Sequence, residues 1–164
     1  MSNSREWLSL TAEQKAIIES HQDQFPVKVG AIAKAFGINV KKATLAAGIS
    51  GEIKETRNLV TIRVNRHDVK ERQRFTLAHE IAHFLLHRDK IGDGITDDIL
   101  YRSNLSSAQE AQANRLAADI VMPWSLIQSS LETYDDLKLE QKIERLAQEA
   151  EISTTAIKIR LGKI

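Results

Sequence analysis

The alternation of apolar and polar positions along the chain predicts helices first, then a small sheet, then helices again. Thr11 followed by Gln14 has the spacing of a capping box and predicts a short helix near residues 12–21. Pro26 and Gly37 bracket a second helix, whose apolar positions recur at helical spacing. We expect both elements to serve packing, because neither carries an evident chemical group.

A period of two replaces the helical period between residues 48 and 66. Residues 51–55 and 59–64 alternate apolar and polar side chains on either side of Arg57 and Asn58. This pattern predicts an antiparallel hairpin with one solvated face. Its second strand leads towards the next helix.

The longest helical pattern follows this hairpin. Asp68 and Glu71 have the spacing of a capping box, so the helix is predicted to run from near Val69 to near Arg88, roughly five turns. After it, residues 88–98 are rich in glycine and aspartate. Such a composition predicts a surface loop.

Composition favours an ordinary globular protein. A chain of 164 residues with 42% hydrophobic and 27% charged residues suits one compact domain over residues 1–164, and the predicted helices and small sheet make its class α+β. The chain has no cysteine, so disulfides and thiolate ligands are excluded and any metal must be held by nitrogen and oxygen. The polar start, residues 1–6, leads to no long apolar run, which predicts a soluble cytoplasmic protein without a signal peptide or membrane span. A net charge of +1 gives no general attraction to nucleic acid, and nothing in the sequence indicates an oligomeric state.

Residues 79–83 read His-Glu-Ile-Ala-His and lie well inside the long helix. Histidines four apart on an α-helix lie about 40° apart around the axis and one turn along it, so His79 and His83 can bind one metal ion. Glu80 lies about 100° round from His79, near enough to accept a proton from a water molecule activated by that metal. The alternative is a pair of polar-face histidines with Glu80 in a local salt bridge, but the neighbouring residues are apolar. Because buried imidazoles need partners, the motif predicts a zinc hydrolase.

A catalytic zinc site usually has a third protein ligand and leaves the fourth position for water. An H-E-x-x-H-x-x-G-x-x-H site is excluded, because Leu86 and Asp89 stand where glycine and histidine are required. Glu110 shares a face with small residues on a helix predicted over residues 107–118, although Ser107 and Glu110 also have capping-box spacing. The spacing leaves the third ligand open between Glu110 and five other residues: His87, Asp89, Asp93, Asp97 and Asp98. Two imidazoles and a carboxylate favour Zn²⁺, with Mn²⁺ as the alternative in the cell.

Supporting roles can be assigned to residues near these candidates. Asn114, one turn further along the helix of Glu110, is expected to support a ligand by hydrogen bonding or to pack between helices. His87, one turn beyond the second histidine, is expected to brace the helix end or the loop rather than bind metal. A hydrogen-bond donor for the oxyanion of the reaction could come from three residues that otherwise read as surface positions: Tyr101, Arg102 and Asn104.

The C-terminal residues 138–164 have the form of a helix, a tight turn and a Ser/Thr-capped helix. In a DNA-binding protein of this kind, the start of the second helix would lie in the major groove. Positive charge would come from Lys158, Arg160 and Lys163. Three glutamates on the preceding helix and turn would repel phosphates: Glu144, Glu149 and Glu151. Direct DNA binding is therefore not favoured, and we expect a packing motif.

Three blocks of the chain resemble the ImmA/IrrE-type metallopeptidases. They are Thr76-Leu77-Ala78-His79-Glu80-Ile81-Ala82-His83, then Glu110-Ala111-Gln112-Ala113-Asn114-Arg115-Leu116-Ala117, then Met122-Pro123. The resemblance extends from about Pro26 to Leu161 and leaves the first two dozen residues outside it. It implies a zincin-like fold, in which a small antiparallel sheet packs on the metal helix between flanking N- and C-terminal helices.

The resemblance also implies a mechanism and a substrate class. The acid of the second block, here Glu110, is the third zinc ligand of that family, and Glu80 is then the catalytic carboxylate. Characterised members cut repressors of the helix-turn-helix type, so the implied substrate is a cytoplasmic regulatory protein of that class. The rival hypothesis is a non-proteolytic regulator that binds DNA or a repressor through its C-terminal helices and keeps a metal for structure or sensing. Glu80 discriminates between them, because a structural or sensory site has no use for a carboxylate beside its ligands.

Overall fold

A computed structural model of the chain describes residues 1–163. Over this range the chain forms eight α-helices, four β-strands and a 3₁₀ turn at Arg88–Lys90. The helices are α1 (Arg5–Leu8), α2 (Ala12–Glu19), α3 (Val29–Ala35), α4 (Lys70–Leu86), α5 (Ser107–Val121), α6 (Trp124–Thr133), α7 (Leu139–Ala150) and α8 (Thr154–Arg160). The strands are β1 (Asn39–Ala43), β2 (Ile49–Thr56), β3 (Leu59–Asn65) and β4 (Ile95–Asp98). No helix in the described part of the chain has both the length and the apolar character needed to cross a membrane.

The strands form one mixed sheet in the order β1-β3-β2-β4. The predicted hairpin is confirmed, since β2 and β3 pair antiparallel as far as Thr56 and Leu59. Its turn residues, Arg57 and Asn58, have positive φ angles of 53° and 65°, which suit the twist of a two-residue hairpin turn. β4 pairs antiparallel with β2, whereas β1 pairs parallel with β3. The predicted α+β class is confirmed, with one parallel pair in a sheet that the sequence predicted to be antiparallel.

β4 lies inside the stretch predicted to be a surface loop, so that prediction was wrong for residues 95–98. Ile95 and Asp97 are buried, while Thr96 between them is exposed. This is the alternation of a strand with one face against the core. Glycines and aspartates around it gave the stretch a loop-like composition, and only pairing with β2 reveals the strand.

α4 is the central helix and follows the predicted bounds closely. The predicted capping box is wrong, because Val69 is the N-cap and no side chain caps the helix. Every residue from Thr76 to His83 is buried, since α4 lies between the sheet on one side and α5 on the other. Polar side chains in this stretch are cut off from water and need partners inside the protein.

Gly51 sets the distance between β2 and α4. A Cβ atom at this position would lie 2.5 Å from Thr76 Cγ2 and 3.3 Å from the carbonyl oxygen of Arg63. It would also lie 3.7 Å from Glu80 Cγ. Because glycine has no side chain, β2 can rest directly against the middle of α4.

Both ends of the chain pack against α5. Asp119 on α5 accepts hydrogen bonds from the backbone N–H and hydroxyl of Ser4 and pairs with Arg160 at 3.0 Å. Gln22 Nε2 donates to the carbonyl oxygens of Asp119 and Ile120. The first two dozen residues, which lie outside the family resemblance, thus help to hold α5 in place.

The C-terminal segment forms two helices joined by a short turn. Glu151, with a left-handed φ of 54°, is the C-cap of α7, and the Ser153 hydroxyl caps α8. Arg160 donates to the carbonyl oxygen of Met122, and its guanidinium lies 4.4 Å from the centroid of the Trp124 ring. α8 is therefore held against the junction of α5 and α6.

Replacing Gly51 with alanine is expected to lower the free energy of unfolding by about 1–3 kcal/mol, because the added methyl group overpacks the contact with Thr76. Gly30→Ala is the matched control. A Cβ at Gly30 meets nothing within 4 Å, and alanine in α3 is favoured by up to about 1 kcal/mol. Urea unfolding of both variants measures the difference; equal stability of Gly51→Ala and the parent protein would contradict the close packing.

Candidate metal centre

Four buried side chains from three elements meet around one point: His79 and His83 of α4, Asp97 of β4 and Glu110 of α5. One potential ligand atom from each lies within 4.8 Å of the others. The two histidine Nε2 atoms are 3.1 Å apart. Glu110 Oε1 lies 2.8 Å from His83 Nε2 and 3.4 Å from His79 Nε2. Asp97 Oδ2 lies 3.6 Å from each of these nitrogens.

Hydrogen bonds on the outer side of the histidines fix the positions of their protons. His79 Nδ1 lies 2.9 Å from Asn114 Oδ1, which only accepts, so Nδ1 carries the proton. His87 Nε2 must likewise donate to Gln112 Oε1 at 2.8 Å. The neutral His87 ring then accepts at Nδ1 from His83 Nδ1, 3.0 Å away. His79 and His83 therefore each present an Nε2 lone pair to the cluster, which is the tautomer that metal binding requires.

The carboxylate oxygens of the cluster lack ordinary hydrogen-bond donors. Both side-chain oxygens of Asp97 and of Glu110 are buried without a donor among the described residues. A neutral imidazole with its proton on Nδ1 presents only the lone pair of Nε2 to these carboxylate oxygens and donates no hydrogen bond to them. Two lone pairs and two carboxylates at these distances repel one another unless a cation lies between them. The donor set of nitrogen and oxygen atoms thus fits a divalent metal ion.

The pKa values of the cluster lead to the same conclusion. Burial lowers the pKa of His79, but the carboxylates of Asp97 and Glu110 outweigh burial and raise this pKa to about 9. Burial raises the pKa of Asp97, but the neighbouring side chains of Glu80, His79 and His83 hold it well below its ordinary range. The surroundings therefore stabilise positive charge at this point. A proton and a metal ion compete for the same nitrogen lone pairs.

Glu80 lies beside the cluster without being one of the four. It is fully buried, its carboxyl lies beside that of Asp97, and no donor of the described residues reaches its oxygens. Burial raises the pKa of Glu80 well above its ordinary value, and Asp97 and Glu110 nearby raise it further. A carboxyl group with a raised pKa is suited to accept and release a proton near neutral pH.

Small residues let α5 approach α4 closely at the cluster. Ala113 and Ala117, one and two turns beyond Glu110, are fully buried. The capping box of α5 is formed by Ser106 and Gln109. The alternative interpretation of Glu110 as a capping residue was therefore wrong, and its carboxylate is free to point towards α4.

The other sequence candidates separate into neighbours of the cluster and distant residues. Asn114 and His87 hydrogen-bond to the two histidines, as described above. The Tyr101 ring lies 5.0 Å from the His79 ring, and its hydroxyl oxygen accepts a hydrogen bond from Thr76. Five candidates lie outside the cluster: Asp89, Asp93, Asp98, Arg102 and Asn104.

Sequence reasoning underrated Asp97 and overlooked Gln112. Asp97 was one of six candidates for the third ligand, and it lies in the cluster together with Glu110 rather than instead of it. The apolar, polar, acidic alternation from Ile95 to Asp97 was the one signal that could have placed it on a strand facing the core. Gln112 is recognisable only from its contact with His87, which no local spacing predicts.

A groove of about 840 Å³ lies beside the cluster. Its lining includes Asn114 and Tyr101, which both contact His79. Trp124 of α6 and Ile159 of α8 also line it, and Ile159 is exposed. The groove thus places an apolar, accessible surface next to residues that contact the cluster.

Comparison with protein families connects this geometry to known proteins. The model of the M78 peptidase family, described as the IrrE N-terminal-like domain, matches residues 33–162. The comparison with curated proteins found no match. The matched range contains all four residues of the cluster as well as Glu80, and it confirms the resemblance to the ImmA/IrrE-type metallopeptidases. The chain belongs to the M78 family of metallopeptidases.

Proposed function

We propose that this protein is a zinc-dependent endopeptidase that hydrolyses a peptide bond in a cytoplasmic regulatory protein, a helix-turn-helix repressor. His79, His83 and Glu110 would hold the metal, and Glu80 would be the catalytic carboxylate. Two imidazoles and a carboxylate favour Zn²⁺, and Mn²⁺ is the alternative in the cell. The family match supports peptidase chemistry, and the arrangement of the buried cluster supports these individual roles.

The observation that carries the proposal is the position of Glu80. Its carboxyl is fully buried, has no donor among the described residues and lies beside the metal-ligand cluster. Burying a carboxylate without a partner is costly, so a site built only to hold a metal would not retain one there. A hydrolase needs such a group, because the attacking water must lose a proton.

The chemistry follows from these positions. A bound divalent cation supplies Lewis acidity towards water and towards the scissile carbonyl. Glu80 accepts the proton of the attacking water and passes it to the leaving amine. Asn114 holds the His79 ring in the tautomer that leaves Nε2 unprotonated, and His87 with Gln112 does the same for His83.

A protein substrate would reach this centre along the groove between α4, α5 and α8. Two of the residues that line the groove contact His79, so a segment bound against them would lie next to the cluster. The choice of a helix-turn-helix repressor as substrate rests on the resemblance to characterised ImmA/IrrE-type enzymes. The resemblance bears on the class of substrate only.

The alternative, a regulator that binds DNA through its C-terminal helices, has less support. Arg160 lies against buried Asp119, and Lys158 lies 3.8 Å from Glu140. Two of the three cations that would meet phosphates are therefore next to carboxylates within the protein. Ser153 and Thr155, at the start of α8, line the groove.

Glu80→Gln is expected to lower peptide hydrolysis by about 10²- to 10⁴-fold while the metal content stays unchanged, because the amide cannot accept the proton of water. Cleavage is measured by mass spectrometry on a proteome-derived peptide mixture and on a helix-turn-helix repressor encoded nearby. Glu19→Gln, at an exposed position on α2, is the control for the charge change. Cleavage by Glu80→Gln at the parent rate would exclude the proposed role.

Glu110→Gln is expected to weaken zinc binding at least about tenfold, because a neutral amide replaces a charged ligand. Competition with a chromophoric chelator measures the dissociation constant. Glu132→Gln, at an exposed position on α6, is the matched control and should bind zinc like the parent protein. If both variants bind zinc equally well, Glu110 is not a ligand.

Ile159→Asp is expected to raise the KM for a protein substrate about tenfold without lowering the zinc content, because it places a charge where an apolar segment would lie. Leu139→Asp makes the same change at an exposed apolar position outside the groove lining. Steady-state kinetics on the same repressor compare the two variants. An identical KM for both would show that the substrate does not use the groove.

A further inference from the structure

Asp97 has no role in the proposed mechanism, although it is the most enclosed carboxylate of the cluster apart from Glu80. Its side chain is fully buried, and neither oxygen has a hydrogen-bond donor among the described residues. Oδ2 is equidistant, at 3.6 Å, from His79 Nε2 and His83 Nε2. A carboxylate in this position needs a positive partner, and the point it faces is the one that the other three ligand candidates surround.

Five of the six donor–donor distances are close to those of a tetrahedral shell that includes Asp97. Zinc lies about 2.0–2.2 Å from nitrogen and oxygen ligands, so neighbouring donors of a tetrahedron are about 3.3 Å apart. Glu110 Oε1 lies 2.8 and 3.4 Å from the two histidine nitrogens, and Asp97 Oδ2 lies 3.6 Å from both. All four donors lie within 4.8 Å of one another. The protein thus offers four ligands, whereas a catalytic zinc site usually takes three and leaves one position open.

The charge of such a shell matters for catalysis. With two neutral imidazoles and two carboxylates, a divalent cation is fully neutralised. With Asp97 released, the same cation keeps one net positive charge, which is what stabilises an oxyanion in the transition state. A shell of four protein ligands therefore holds the metal firmly but does not suit hydrolysis. It leaves the cation without net positive charge and without an open coordination position.

The strand that carries Asp97 is short and irregular at the position of this residue. β4 has four residues, lies at the edge of the sheet and, among the described residues, pairs with β2 alone. Its register with β2 shifts between Ile49 and Gly51, the bulge opposite Asp97 and Asp98. Because a bulge disrupts the ladder, this end of β4 can shift more easily than its start at Ile95, which is packed in the core.

We propose that Asp97 is a fourth protein ligand that closes the metal shell in the resting enzyme, and that peptide hydrolysis requires this carboxylate to leave the metal. The inference rests on the proposed metallopeptidase function. Under this inference Asp97 is a positioning residue. It holds the metal in the resting enzyme, and its release determines how often a coordination position becomes open. The alternative is that Asp97 only supports Glu80 and does not bind the metal. The metal would then have an open coordination position in the resting enzyme.

The experiment compares the parent protein, Asp97→Ala and Asp97→Asn after loading with Co²⁺, whose visible spectrum reports the number and type of ligands. Azide is the probe, because it is a small anion that takes an open or water-filled metal position. Asp93→Asn, at an exposed position in the same segment, is the matched control for the charge change. Circular dichroism verifies that each variant is folded, and Asp97→Asn keeps the side-chain shape where Asp97→Ala leaves a gap.

Suppose that metal centres with Asp97 bound outnumber those with Asp97 released by about ten to one. Azide is then expected to bind the parent protein and Asp93→Asn about tenfold more weakly than Asp97→Ala. Asp97→Asn is expected to shift azide binding in the same direction as Asp97→Ala. Removing a ligand should also weaken Co²⁺ binding at least about tenfold.

Equal azide affinity in all four proteins would overturn the inference and leave the peptidase proposal intact, since an open position at rest suits a hydrolase. Failure of the parent protein to bind Co²⁺ or Zn²⁺ would instead overturn the peptidase proposal itself. Weaker Co²⁺ binding by Asp97→Ala with unchanged azide affinity would mean that Asp97 helps to hold the metal without occupying its open position, and would also overturn the inference.

Discussion

The burial of ionisable groups in the middle of α4 is the constraint on which the rest of the structure depends. Both histidines and the glutamate of the motif are fully buried, and two further carboxylates reach them from β4 and α5. Isolated charges in such surroundings cost several kcal/mol each, and only opposite charge or a metal ion offsets that cost. The chain must therefore bring Asp97 and Glu110 to α4 accurately. The sheet, the long central helix and α5 can each be understood as the means of doing so.

The scaffold meets this demand by close backbone approach and by fastening α5. Gly51 lets β2 lie against α4, and buried alanines let α5 lie against its other side. Asp119 then ties α5 to the N-terminal residues through Ser4 and to α8 through Arg160. A ligand site needs its donors held within a fraction of an ångström, so these remote contacts bear on Glu110 as much as on stability. The N-terminal segment, for which the sequence pattern predicted only packing, thereby also bears on the position of Glu110.

Local geometry decided what could be predicted from the sequence. The spacing of His79 and His83 fixes their relation on one helix, and the hairpin turn at Arg57 and Asn58 is equally local, so both could be inferred without the fold. Glu110 needed the family resemblance, because its position opposite α4 depends on the packing of two helices. β1 and β4 escaped prediction because a strand of four or five residues is defined by its partner rather than by its own sequence. Asp97 was undervalued for that reason: its neighbours look like a loop until β2 is placed beside them.

Access to the metal centre is the remaining physical problem. The four ligand candidates and Glu80 are almost entirely buried, yet a peptide bond must come within reach of them. Tyr101, one of the residues that line the groove, has a φ of 57°, and its ring lies against His79 while its hydroxyl accepts a hydrogen bond from Thr76. Tyr101 and Asp97 lie in the same segment between α4 and α5, and the backbone N–H of Tyr101 donates to the carbonyl oxygen of Asp98. A displacement of Asp97 would therefore act on a residue that lines the groove and contacts His79. The closed shell proposed above and access to the cluster are connected through this segment.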